Sequence, residues 1–153
     1  MKKIALAVSC AVLSFWTSPL QATAITLQIR KVIACNADSH AVKFRGDPTT
    51  YCLSGVIADD SGIASATPYK DAPGYSGMKL VFTRQAVETL RRANAVHDQI
   101  AVVIDGEPVL HLMVMEPIES EMVISGAFDE AKIRDWIARL NAQARKGGGS
   151  GKA

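Results

Sequence analysis

The chain has 153 residues, 48% of them hydrophobic, with 17 basic against 15 acidic side chains. Removal of an N-terminal leader carrying Lys2 and Lys3 would leave the two signs equal. That balance excludes the basic stripe that displaces counterions from nucleic acid, so no nucleic-acid partner is expected.

The first 24 residues read as a secretory signal peptide, with Lys2 and Lys3 as the basic start, an apolar run from Ile4 to Trp16, and the small-residue pattern Ala22-Thr23-Ala24. The run is shorter than the roughly 20 residues a membrane-crossing helix needs. The mature chain is therefore expected to begin near Ile25 and to be soluble in the periplasm or outside the cell, with no stable membrane insertion. Lipid anchoring at Cys10 is the alternative, but the apolar run continues past Cys10, so a cut there would fall inside the run. Residues 25–146 are expected to form one domain, with 25–50 as an N-terminal extension, 51–146 as the core and 147–153 as a flexible Gly-rich tail.

Ile25, Leu27 and Ile29 alternate with polar residues, as a strand with one buried face requires. Cys35 to Tyr51 is polar and reads as a long connection with a short strand at Val42 to Phe44. Cys35 and Cys52 form the expected disulfide, since an isolated pair in an oxidising compartment bridges and the spacing is unlike C-x-x-C. Short strands are expected at Cys52 to Ile57, Ile63 to Thr67 and Met78 to Phe82, before Thr83 caps a helix over Arg84 to Ala95. Gln99 to Ile104 is almost continuously apolar, which predicts a strand covered on both faces. Asp105-Gly106 predicts a tight hairpin into Val109 to Met115, and Glu121 to Ser125 is a further strand. Asp129 caps a last helix whose Ile133, Trp136, Ile137 and Leu140 lie on one stripe. The order predicts an α+β fold, with two helices on one face of a mainly antiparallel sheet and a strand-rich N-terminal segment tied by the disulfide.

Three stretches, MKLVFTRQAVETLRRAN, DQIAVVIDGEPVLHLMVMEPI and MVISGAFDEAKIRDWIARL, give the chain its resemblance. Together they resemble the head subdomain of the first periplasmic domain of SecD, the auxiliary subunit of the bacterial protein translocase. The resemblance covers roughly Tyr51 to Leu140 and rests on motifs that shape the fold: Asp105-Gly106 as a turn, Gly126 as a bend, Phe128 as a core anchor. It implies an α+β body and a part in handling polypeptides. SecD couples to proton flow through a transmembrane bundle, and that role is not carried over to a chain expected to leave the membrane.

No catalytic, metal or cofactor site is expected. His40, His97 and His111 are far apart in sequence and none belongs to H-E-x-x-H, and no G-x-S-x-G turn is present. Glu116, Glu119 and Glu121 cluster around Pro117 and read as a solvated loop. A binding surface has more support: Val109, His111, Met113 and Met115 share one parity of their strand, and Leu110, Leu112 and Val114 share the other. His111, Met113 and Met115 are the candidate partner-binding residues, since methionine suits a hydrophobic partner of variable sequence. The alternative has this set covered by Ile25 to Ala34. The expected function is non-enzymatic binding of a polypeptide or envelope protein; the alternative is an inhibitor or immunity protein that neutralises one toxin or hydrolase.

Overall fold

The computed structural model describes residues 23–37, 39–70 and 72–148. The apolar leader, Cys10 and the chain beyond Gly148 lie outside the described residues.

The α+β class is as expected. Eight strands run β1 (Leu27–Ile33), β2 (His40–Lys43), β3 (Thr50–Asp59), β4 (Ile63–Tyr69), β5 (Ser76–Phe82), β6 (Gln99–Ile104), β7 (Glu107–Met113) and β8 (Glu121–Gly126). Helix α1 (Arg84–Ala93) follows β5, and α2 (Glu130–Gly148) closes the described chain. The strands form two sheets, one of five in the order β2-β3-β1-β6-β7 and one of three in the order β4-β5-β8, and every strand pair is antiparallel.

The N-terminal segment is part of the larger sheet's interior. β1 lies between β3 and β6, and its alternation sends Ile25, Leu27 and Ile29 into the main core. The Cys35–Cys52 disulfide forms as expected and ties the end of β1 to β3, with Cα atoms 5.1 Å apart.

β6 is covered on both faces, as its unbroken apolar run demands. Ile100, Val102 and Ile104 enter the main core, and Ala101 and Val103 enter a second cluster with Phe44 and Leu53 on the other side. The turn to β7 has positive φ at both Asp105 and Gly106, the conformation that matches the twist of a two-residue hairpin.

Both helices pack on the same core. Thr83 Oγ1 accepts from the Ala86 amide to start α1, which buries Ala86 and Leu90. Asp129 accepts from the Ala131 amide at the start of α2, and Ile133, Trp136, Ile137 and Leu140 are buried along one stripe against the three-stranded sheet. Midway along that helix the Asn141 side-chain amide both donates to the Ala66 carbonyl and accepts from the Ala66 amide, each at 2.8 Å, on the outer side of edge strand β4.

Gly126 proves to make room for a ring rather than to permit a special backbone angle. A Cβ there would come within 3.0 Å of Phe128, whose ring packs edge-on against Trp136 at the main core.

Candidate functional site

The end of β7 and the loop after it separate two sets of side chains. Leu110, Leu112 and Val114 pack on the main core, while Met113 and Met115 are 46% and 66% exposed. β1 cannot cover them, because it lies in the same sheet with β6 between it and β7. The methionines therefore point outward.

They line a groove of about 520 Å³ that continues over Ile118 and Met122. Its loop is held by the backbone at several points. The Val114 amide donates to the Asp98 carbonyl at 2.8 Å, and the His97 amide donates to the Val114 carbonyl at 2.7 Å. Further along, Arg91 Nε donates to the Ile118 carbonyl at 2.9 Å, and the Phe82 amide donates to the Ser120 carbonyl at 2.8 Å. Flexible thioethers thus project from a main chain held by hydrogen bonds on either side.

Carboxylates border the same groove. Glu121 pairs with Lys79 at 3.3 Å, whereas Glu116 and Glu119 have no ion-pair partner among the described residues. The three acids which cluster around Pro117 in the sequence therefore line the same groove as the two exposed methionines. β7 and β8, edge strands of different sheets, also flank a second depression of about 530 Å³ lined by Val109, Leu110, Phe128 and Trp136 among others.

His111 shares the methionines' parity but not their surroundings. Its ring packs at a tilt, with its centroid 4.5 Å from that of Tyr51 and 4.8 Å from that of Phe44, on the second cluster. Its Nε2 lies 3.5 Å from Asp47 Oδ2, which also accepts from the Tyr51 hydroxyl at 2.8 Å. The backbone amide of Thr49, then the Tyr51 hydroxyl, hold the Asp47 carboxyl at about 2, well below its usual 3.8. The same bond pushes the Tyr51 hydroxyl up, because ionising it would set two anions together. The structure thus brings Met113 and Met115 together and places His111 in an aromatic clasp between β7 and the chain leading into β3. Sequence reading missed Phe44, Asp47 and Tyr51 as its partners.

No group of three or more His, Cys, Asp or Glu side chains converges among the described residues. No described helix is long and apolar enough to cross a membrane.

No protein-family model matches the chain, and no curated protein does. Solved structures do. A crystal structure of SecDF in its super-membrane-facing form superposes with a TM-score of 0.60 at 14% identity, covering 76% of this chain and 18% of that one. A second structure, of SecDF as a membrane component that enhances protein export, superposes with a TM-score of 0.61 at 14% identity and covers 78% of this chain and 63% of that one. The present chain thus spans less than two thirds of either, and what it shares with SecDF is the fold, as the resemblance read from the sequence implies.

Proposed function

We propose that this domain works outside the cytoplasm as a non-enzymatic module that binds another polypeptide through the groove beside β7. The observation that carries this reading is the exposure of Met113 and Met115 above a loop whose main chain is pinned on both sides. Two neighbouring thioethers held out of the core are costly to leave in water and gain from any apolar side chain that covers them.

The shared fold supports the same direction, since one of the superposed structures is a component that enhances protein export. A body of that shape, with two exposed methionines in a groove bordered by carboxylates, suits contact with chains that have crossed a membrane and are not yet folded. The disulfide suits an oxidising compartment. His111 contributes by fixing β7, the strand that ends on Met113, through its contacts with Tyr51 and Asp47.

The test is a titration of a fluorescently labelled, permanently unfolded polypeptide with the purified domain. Saturable binding that weakens in the Met113→Ser, Met115→Ser double variant supports the groove. Absence of binding to any unfolded chain, together with one stoichiometric partner recovered from periplasmic extract, would replace this reading with that of a dedicated inhibitor.

A further inference from the structure

The described chain changes character at one peptide bond. Thr23 and Ala24 are exposed, whereas Ile25 is 1% exposed and sits in the main core. The residues just after that bond are committed to the fold: the Thr26 amide donates to Asp105 Oδ1 at 3.0 Å, the Thr26 carbonyl accepts from the Asp105 amide at 2.8 Å, and Leu27 is fully buried. Before it, Thr23 and Ala24 are held by their carbonyls alone, which accept from the Arg139 guanidinium at 2.9 Å each.

The Ile25 nitrogen itself occupies an unusual position. It donates to Gln143 Oε1 at 2.8 Å, and Gln143 Nε2 donates in turn to Asp60 Oδ2 at 2.8 Å. The carboxylate fixes which way the Gln143 amide faces and turns its oxygen toward Ile25. The other oxygen of Asp60 accepts from the Leu27 amide at 3.4 Å. A neutral backbone amide needs only one acceptor, whereas an acceptor backed by a carboxylate also suits a cation.

We infer that Ala24–Ile25 is a proteolytic processing site and that Gln143 and Asp60 form a seat for the α-ammonium group which cleavage leaves on Ile25. In the hydrolysis, water adds to the Ala24 carbonyl carbon and the bond to the Ile25 nitrogen breaks. Ala24 departs with the leader as a carboxylate, and the nitrogen takes up the protons that make it an ammonium. The processing enzyme must be one that accepts small side chains, as Ala22 and Ala24 provide. Arg139 loses two carbonyl acceptors and keeps Asp105 and Asp135. One ammonium N–H stays on Gln143 Oε1, and the others face the exposed space that Ala24 vacates. The inference rests on the export reading, and it adds a function for the first residue of the mature chain.

The full-length gene is expressed in a bacterium with an outer membrane, and the product of the envelope fraction is sequenced from its N-terminus. Ile25 is expected as the first residue. The α-amine is then acylated at neutral pH with an N-hydroxysuccinimide ester, in the native state and in urea. A seated amine reacts about tenfold or more slowly in the native state, the factor that an opening free energy of about 1.4 kcal/mol gives. Gln143→Met, which keeps the side chain's length and removes its acceptor, is expected to abolish that protection. Equal rates in the native state and in urea overturn the seat whatever the variant does. Cleavage at another bond overturns this inference alone, and an uncut chain retained in the cytoplasm overturns the export reading with it.

Discussion

Arg139 and Asp105 meet through two parallel contacts, Nη1 to Oδ2 at 2.8 Å and Nη2 to Oδ1 at 3.1 Å. This fork joins α2 to the β6–β7 turn, and the same carboxylate accepts from the Thr26 amide. One residue pair thus locks three segments far apart in sequence. Burial raises the Asp105 carboxyl, but the Thr26 amide and Arg139 outweigh it and the net shift is downward. Arg139→Ala is expected to cost about 1–2 kcal/mol, because the contact is bidentate and only the Asp105 side is substantially exposed. Urea unfolding of Arg139→Ala, Asp105→Asn and the double variant checks this. The pair is disproved as a coupled unit if the single effects simply add.

Replacing Met113 and Met115 by Ser is expected to weaken polypeptide binding by about tenfold or more, from the apolar area that no longer leaves water. Thermal stability should barely change, since both side chains are exposed in the free protein. Anisotropy titrations and melting curves on the same preparations measure both. Unchanged affinity removes these residues from the site.

Asp47 sets an acid limit on the clasp around His111. Its folded value, about 2, is below the ordinary 3.8, so its contribution to stability is fully present above the ordinary value. That contribution is lost as pH falls from about 4 toward 2. Asp47→Asn is expected to flatten this part of the curve of stability against pH. A wild-type curve and an Asn curve that run parallel between pH 2 and 4 would show that Asp47 plays no such part.

Reduction of the Cys35–Cys52 bridge, or its replacement by two alanines, frees a loop of sequence separation 17 in the unfolded chain. The expected loss is about 3 kcal/mol by loop entropy. Denaturation with and without reductant reads it directly, and a loss under about 1 kcal/mol would mean that the reduced unfolded chain retains structure in this segment.

Local patterns were legible wherever one short stretch determines its own surroundings. The Ile133, Trp136, Ile137 and Leu140 stripe needs only helical spacing, and all four are buried. Asp105-Gly106 needs only its own backbone angles, and the apolar run of β6 implies cover on both faces without naming what supplies it. Partner choice was not legible. Nothing within residues 25–34 says that β1 inserts between β3 and β6, because pairing depends on strands that lie tens of residues away. For the same reason the parity of His111, Met113 and Met115 could be read, but not that His111 would turn to Phe44, Asp47 and Tyr51. The division of the strands into two sheets belongs to the same class of non-local information.

The Asn141 amide over Ala66 has a consequence for how copies of this domain can meet. Ala66 presents its N–H and its carbonyl to Asn141, on the side of β4 away from β5. The next residue of that parity, Pro68, has no N–H to offer. A strand approaching along β4 therefore finds one residue already satisfied and the next without a donor. Unlimited stacking of copies through a sheet needs two open rims on each molecule. The three-stranded sheet keeps only its β8 rim, so growth by that route halts at a pair.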